Sequence, residues 1–408
     1  MKNSIIFKIL TLILNFIFYR ILTGNLSSTI FGELIYLFSI SLSISILSNL
    51  GSDTIVSKLY LKNKGDDFFN GNISYNEFHI ISLVIAIISS PIISVIYGIT
   101  NTTHIFIIFF VSLTLTNARV FGSNFLSIKN FFFYYFFSIF GFLLFVVILT
   151  YFSSSLFFIF LISSILMNTF LGIINNKYKF LKITIFKDIK KINFQKIILI
   201  LSKTYTLIII LFLAASHELL SQYWLNHNFD YILSGQVAIL FRIASLTVIG
   251  LAALNLTAYS SFNKESNIFN NEYHKEYFKI LKISLLISLP IISGIFLFHK
   301  FILNWFNLPL NNEILLSLLI LIIGQFFVVC MGPISMAMTQ FNKQKIFSIF
   351  YMFGCLINII LLFSYNVISE LISMPPLIYS TISYSLCFFS INLIAFIYFF
   401  YNSKLKKI

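Results

Sequence analysis

Apolar runs separated by short polar segments recur along the whole chain. Each run holds roughly 20 mainly apolar residues, enough to cross a hydrocarbon core of ~30 Å at ~1.5 Å per residue. The pattern predicts twelve membrane-spanning helices, at 5–22, 31–50, 78–97, 105–127, 131–151, 156–176, 197–216, 235–259, 278–298, 314–338, 346–366 and 377–401. Only 10% of the residues are charged, against about 25% in soluble domains. The predicted fold class is therefore an all-α polytopic membrane protein.

The polar segments alternate in charge. Those on the side of the N-terminus carry most of the 27 Lys and Arg residues, whereas those on the opposite side carry Lys300 and acids such as Glu218 and Asp230. The longest of the opposite segments is expected at 217–234. The positive-inside rule then places both termini in the cytoplasm. The net charge of +14 follows from this topology and from attraction to anionic lipid, so no nucleic-acid partner is expected.

The sequence also repeats weakly at an offset of about half its length. "FGELIYLFSISLS" from Phe31 resembles "SGQVAILFRIASL" from Ser234, and "SSPIISVI" resembles "SLPIISGI" further along each half. The second match aligns Pro91 with Pro290, inside the third and ninth spans. A proline removes one backbone hydrogen bond, so we expect each either to shape its helix or to act as a hinge.

The repeat predicts two lobes of six spans, 1–196 and 197–408. Because six is an even number, the lobes have the same orientation and are related by a pseudo-two-fold axis along the membrane normal. Such lobes meet around a central cavity in alternating-access transporters. The basic connector 177–196 interleaves apolar residues with lysines, which suits either an amphipathic helix in the membrane interface or an ordinary basic loop.

Four basic residues fall inside predicted spans rather than in the loops: Arg20, Arg119, Lys203 and Arg242. A charge facing lipid is costly, so such residues are by default candidates for a transport path. We expect them to line a cationic cavity that holds the oxygens of an anionic, phosphate-bearing cargo. Glu33 and Asp53 are the candidate charge partners; Glu33 is predicted at the depth of Arg20, and Asp53 also suits a helix N-cap.

Several chemistries lack the residues that they need. The sequence has no Gly-rich Walker loop and no histidines at metal-ligand spacing, so no cofactor or metal is expected. It also shows no set of catalytic acids, and we expect a protein that is not an enzyme. Transport could be coupled to H⁺ or Na⁺, for which the sequence has no dedicated motif.

Three segments of the second half carry a family resemblance: "FRIASLTVIGLAALNLTAYSSFNK", "LPIISGIFLFHKFILNWF" and "GQFFVVCMGPISMAMTQFNKQK". With "STIFGELIYLFSISLSISILSNLGSDTIVSKLYLKNKG" early in the chain, they resemble the polysaccharide-biosynthesis flippases of the O-antigen (Wzx) type. That family belongs to a superfamily of multidrug, oligosaccharidyl-lipid and polysaccharide exporters built from two six-helix lobes in a V.

The resemblance implies a flippase that moves undecaprenyl-pyrophosphate-linked repeat units of O-antigen or another surface polysaccharide to the periplasmic leaflet. It also implies a location in the bacterial cytoplasmic (inner) membrane and other polysaccharide-assembly membrane proteins as partners. Arg242 and Arg20 occupy the family's eighth-helix and first-helix arginine contexts, whereas Arg119 matches no motif. The alternative is a cation-coupled multidrug or small-molecule exporter of the same superfamily, which would call for midspan acids that the predicted spans lack. A membrane-embedded polymerase is the third possibility, and it would need a catalytic set that we do not find.

Overall fold

The computed structural model describes residues 2–51, 67–68, 73–127, 130–178, 194–251, 254, 271–340 and 343–405. Almost all of these residues are helical. The exception in regular structure is a pair of two-residue antiparallel strands, β1 (Asp67–Phe68) and β2 (Ile73–Ser74), in which Asp67 pairs with Ser74.

The helices follow one another with short connections, as expected when each apolar run crosses a membrane. In chain order they are α1 (Lys2–Asn25), α2 (Ser28–Ser48), α3 (Tyr75–Ile96), α4 (Thr102–Ser127), α5 (Phe131–Tyr135), α6 (Gly141–Thr150), α7 (Leu156–Tyr178), α8 (Phe194–Asn228), α9 (Tyr231–Ser245), α10 (Asn271–Trp305), α11 (Asn312–Met331), α12 (Ile334–Gln340), α13 (Gln344–Phe363), α14 (Tyr365–Ile372) and α15 (Pro376–Leu405). A π-helical segment, Phe136–Phe140, joins α5 to α6, and a 3-10 segment, Leu246–Val248, follows α9.

Each of the twelve predicted spans coincides with helical structure over the residues that are described. Within the described residues, ten helices are long and apolar enough to cross a membrane. The two other predicted spans, the first and the fifth, correspond to α1 and to the interrupted run α5–π–α6. The predicted multi-pass, all-α fold is therefore confirmed.

Helix ends account for the largest errors in the predicted boundaries. The predicted tenth span, 314–338, is wrong at its end, because α11 stops at Met331. Gly332 follows with φ of 70°, a conformation that favours glycine, and Pro333 then precedes the short helix α12. At the other end, the side chain of Asn311 caps α11 by accepting a hydrogen bond from the backbone N–H of Ile314 at 2.9 Å.

Neither of the two repeated prolines interrupts its helix. Pro91 lies within α3 and Pro290 within α10, and both side chains are exposed. The backbone of α10 departs from helical geometry at Phe298 (φ −107°, ψ 15°) instead of at Pro290. The distortion of α10 is therefore at Phe298 and not at the proline, where we expected it. The role of the two prolines as hinges stays a prediction.

The chain divides into two compact units, which we call the N-terminal unit (10–215) and the C-terminal unit (1–9 with 216–408). The division falls inside the continuous helix α8, and the predicted lobes of 1–196 and 197–408 stay a prediction. The same pattern of neighbours recurs in each unit: α4 packs against α2, α3 and α7, and α11 packs against α9, α10 and α15. This recurrence agrees with the repeat in the sequence.

Packing within the N-terminal unit separates a buried face from an apolar exposed face on each helix. Leu50, Phe78, Ile81, Val120 and Ile200 form one buried cluster. The opposite face of α3 exposes apolar side chains from its middle to its end, as expected for lipid contact; they are Val84, Ile87, Ile88, Ile92, Val95 and Ile96. Polar side chains that are exposed in the middle of such helices therefore mark a surface that meets water or a ligand instead of lipid.

Candidate functional site

In the C-terminal unit, the last part of α8 is joined to the antiparallel helix α9 by only two residues, Phe229 and Asp230. The carboxylate of Asp230 accepts a hydrogen bond from the backbone N–H of Leu233 at 2.7 Å and so caps α9. The loop expected at 217–234 is therefore wrong. Most of it is helix: α8 continues to Asn228 and α9 begins at Tyr231.

This short turn sets the depth of two charged residues. Glu218 precedes the end of α8 by ten residues, and Arg242 follows the start of α9 by eleven residues. At a rise of ~1.5 Å per residue, both lie ~15–17 Å from the turn. They therefore lie at matching distances from the turn, within the helical parts of α8 and α9.

Glu218 and Arg242 form an ion pair. Arg242 Nη2 donates to Glu218 Oε1 at 2.6 Å, and the two side chains are 31% (Arg242) and 22% (Glu218) exposed. Gln222, one turn further along α8, also donates to Glu218 Oε1, at 3.4 Å. The pair explains how a guanidinium is accommodated inside an apolar helix: its charge is balanced by an acid on the neighbouring helix.

Aromatic and amide side chains of α11 and α15 pack beside this pair. Tyr384 on α15 lies close enough to interact electrostatically with both Glu218 and Arg242. Its ring packs on Phe241 with 4.4 Å between the centroids, and its hydroxyl accepts a hydrogen bond from Gln325 Nε2 at 3.2 Å. Two spans besides α8 and α9 thus hold the pair in place.

A buried histidine network lies beside Glu218 in the sequence. His217 is fully buried; its Nδ1 lies 3.5 Å from Asn358 Nδ2, and its Nε2 lies 3.5 Å from Cys355 Sγ. Ser383 donates to Asn358 Oδ1 at 2.6 Å, which leaves the amide nitrogen of Asn358 toward the His217 ring. The network ties α8 to α13 and α15 and fixes the helix that carries Glu218.

The predicted partner of Arg20 is held by a different residue. Glu33 on α2 pairs with His104 on α4, with His104 Nε2 2.7 Å from Glu33 Oε1. The expected pairing of Arg20 with Glu33 is therefore wrong, because the start of α4 places His104 in contact with Glu33. Arg20 is half-buried on α1, and its Nη1 is buried without a hydrogen-bond partner among the described residues.

The other predicted site residues lie in the N-terminal unit. Arg119 is half-buried on α4, and Lys203 is exposed on α8. Asp53 and most of the connector 177–196 lie outside the described residues. The last residue of the connector, Lys196, pairs with the buried Glu77 at 2.6 Å. The shared cationic cavity of Arg20, Arg119, Lys203 and Arg242 stays a prediction, whereas Arg242 has an acidic partner within its own unit.

Comparison with known proteins identifies the fold. No family model matches the sequence, and no curated protein matches it. The structure is similar to an inward-facing MATE family multidrug resistance transporter of the MOP superfamily, with a TM-score of 0.62, 11% identity and 99% of both chains covered. It is also similar to the MATE multidrug transporter DinF-BH in complex with rhodamine 6G, with a TM-score of 0.66 and 12% identity over 97% of this chain and 94% of that one.

A third similar structure is a MOP superfamily transporter from Pyrococcus furiosus, for which a binding pocket of reverse polarity suggests a different function. Its TM-score is 0.59, with 12% identity over 100% of this chain and 95% of that one. The twelve-span architecture of these transporters is therefore the fold of this chain.

Proposed function

We propose that this protein, a multi-pass membrane protein with the MATE-like fold, is a cation-coupled exporter in which the Glu218–Arg242 pair links ion binding to transport. The observation that supports the proposal is the 2.6 Å ion pair between two membrane-spanning helices. Ionisable residues within spans are rare because they are costly, and they commonly mark ion and proton pathways. The sequence-based argument against an exporter is the lack of acids within the spans, and Glu218 lies within a membrane-spanning helix of the structure instead of a loop.

The geometry of Glu218 leaves one oxygen for an ion. Both hydrogen bonds that it accepts within the described residues end on Oε1. Oε2 is therefore the oxygen at which H⁺ or Na⁺ can bind. A proton there neutralises the carboxylate, and Arg242 loses the negative charge that balances its own. Because an arginine within a membrane needs such compensation, ion binding favours a different arrangement of α8 and α9, and this difference couples the ion to transport.

The proposal predicts counter-transport driven by a cation gradient. Purified protein in liposomes loaded with rhodamine 6G, the dye bound by DinF-BH, is expected to move the dye faster when an inward H⁺ or Na⁺ gradient is imposed. Protein-free liposomes give the background rate, and collapse of the gradient by an ionophore is the control. Dye movement at the background rate under both gradients would contradict the proposal.

A second candidate is the translocation of undecaprenyl-pyrophosphate-linked oligosaccharide units, in agreement with the sequence resemblance. The observation that favours it is Arg20, whose buried Nη1 has no hydrogen-bond partner among the described residues. A guanidinium binds phosphate oxygens in bidentate geometry and stays charged at cellular pH. Arg20 would thus contact the pyrophosphate of a lipid-linked cargo, in the bacterial inner membrane and beside other proteins of polysaccharide assembly.

The second candidate predicts loss of surface polysaccharide in a deletion strain. The wild-type gene is expected to restore the polysaccharide, and Arg20→Ala is expected to restore it poorly at equal membrane levels. Lys300→Ala, which removes an exposed cation of α10, is the matched control and should restore it fully. Normal polysaccharide in the deletion strain, or full restoration by Arg20→Ala, would count against a phosphate-binding role.

A further inference from the structure

The N-terminal unit carries a chain of hydrogen-bonded polar side chains, two amides and an imidazole, that links three helices. His79 Nε2 lies 2.9 Å from Asn117 Oδ1, and Asn117 Nδ2 donates to Asn168 Oδ1 at 2.7 Å. Asn168 Nδ2 donates in turn to Thr114 Oγ1 and to the backbone carbonyl of Ser164, each at 2.9 Å. We call His79, Asn117 and Asn168 the amide ladder; it links α3, α4 and α7.

The carbonyl of Ser164 fixes the direction of the whole ladder. A carbonyl only accepts hydrogen bonds, so the amide nitrogen of Asn168 must face it. The oxygen of Asn168 then faces Asn117, which must present its own nitrogen there and its oxygen to His79. His79 therefore donates from Nε2. Its Nδ1 is an acceptor that is buried and has no hydrogen-bond partner among the described residues.

The ladder keeps unused hydrogen-bonding capacity. An amide group has two N–H donors and two acceptor lone pairs. The hydrogen bonds above occupy both donors of Asn168 but only one donor of Asn117, and they occupy one lone pair on each amide oxygen. One N–H and two lone pairs are thus available side by side, all of them uncharged.

The position of the ladder requires an explanation in a membrane protein. Asn117 is at least ten residues from either end of α4, and Asn168 is at least ten residues from either end of α7. Asn168 is nevertheless exposed and Asn117 only half-buried. Polar side chains that face lipid at this depth are costly, so exposed ones mark a surface that meets water or a ligand.

Open space lies beside the ladder. Gly172 follows Asn168 by four residues and so lies on the same face of α7. A Cβ atom built on Gly172 meets no atom within 4 Å. Open space therefore lies next to the ladder on this face of α7.

We infer that the amide ladder and the space beside Gly172 form a binding site for an uncharged, hydroxyl-bearing part of the transported molecule. A hydroxyl group donates and accepts at once, which matches the adjacent free N–H and lone pairs of Asn117 and Asn168. A phosphate group, which only accepts when ionised, would meet the acceptor oxygens of both amides. The inference rests on the proposed transport function for its role, but the site itself is tested by binding.

The test uses purified protein in lipid nanodiscs, free of sugar-based detergent, titrated calorimetrically with octyl glucoside below its critical micelle concentration. Octyl phosphate, which has the same tail and a charged head group, is the second probe. Wild type is expected to bind octyl glucoside saturably and octyl phosphate more weakly. Gly172→Leu occupies the open space beside the ladder. It should weaken the affinity for octyl glucoside about tenfold or more, which corresponds to the loss of one or two hydrogen bonds.

A matched variant distinguishes blocking of the proposed site from other effects of introducing a leucine. Gly294 on α10 also has no atom within 4 Å of a Cβ built there, so Gly294→Leu should bind octyl glucoside like wild type. Asn117→Ala, which removes the free N–H, should weaken binding as Gly172→Leu does. Equal affinity for octyl glucoside and octyl phosphate would overturn the proposed site. Unchanged affinity of Gly172→Leu for octyl glucoside would overturn it as well. Failure of ion coupling would appear instead as loss of gradient dependence with this binding intact.

Discussion

Glu218→Gln is expected to abolish gradient-driven transport, reducing it to the rate of protein-free liposomes. Glutamine keeps the size of the side chain and can still accept a hydrogen bond from Arg242, but it can neither take up a proton nor balance the guanidinium charge. Breaking a buried pair by neutralising one partner commonly costs ~3–5 kcal/mol, so the protein level in the membrane is measured together with transport. The measurement is dye movement under an imposed H⁺ or Na⁺ gradient.

An exposed acid provides the control for this experiment. Glu276 pairs with Lys279 on α10 at 3.3 Å, and both side chains are largely solvent-accessible. Exposed pairs of this kind are worth ~0–1 kcal/mol, so Glu276→Gln should transport like wild type. The exchanged pair, Glu218→Arg with Arg242→Glu, tests whether a salt bridge at this position is sufficient for transport. We expect it to restore the protein level more than the transport rate. Wild-type gradient dependence in Glu218→Gln would refute the coupling role of the acid.

Gly324→Leu is expected to disrupt the C-terminal unit. Gly324 is where α11 and α15 approach closely: a Cβ atom there would lie 2.7 Å from Ser385 Cβ and 3.3 Å from Ser385 Cα. The second distance involves backbone, so a rotamer change cannot relieve the clash and the helices must separate. Overpacking typically costs ~1–3 kcal/mol, and a leucine at a helix contact this tight should reach at least that range.

The thermal unfolding midpoint in detergent measures this effect. Gly294→Leu again gives the matched comparison, since its side chain would enter open space, and it should unfold like wild type. Ser385→Gly is expected to recover part of the loss caused by Gly324→Leu, because it removes the side chain that the leucine meets. An unchanged midpoint in Gly324→Leu would mean that α11 and α15 are not packed as described.

Run length and hydropathy are sufficient to predict the spans of this chain. An apolar helix in lipid must satisfy its backbone internally, so each apolar run becomes a helix regardless of tertiary context. The boundaries are less predictable where polar residues extend a helix beyond its apolar run. The polarity of "HELLSQYWLNHN" at the end of α8 favours a loop, yet the segment contains no Gly or Pro. The cap at Asp230 is the available signal that the turn comes later.

The partner of Arg242 could not be predicted from the sequence for the same reason. Once Glu218 is assigned to a loop, no acid remains at the depth of the arginine, and a cationic cavity is the simplest interpretation. The pairing of Glu33 with His104 depends on how α2 and α4 pack, which a single sequence does not specify. The amide ladder lacks a sequence signature altogether, since Asn117 and Asn168 acquire meaning only from the packing of α4 against α7.

The Glu218–Arg242 pair also has an electrical consequence. Moving one elementary charge across the membrane field costs or yields ~2.3 kcal/mol per 100 mV. With the carboxylate ionised, the pair is neutral as a whole, so a movement of α8 and α9 together does little work against the membrane potential. With H⁺ or Na⁺ bound, the same movement carries one positive charge. The transport step with the ion bound would then depend on voltage, and the return step would not.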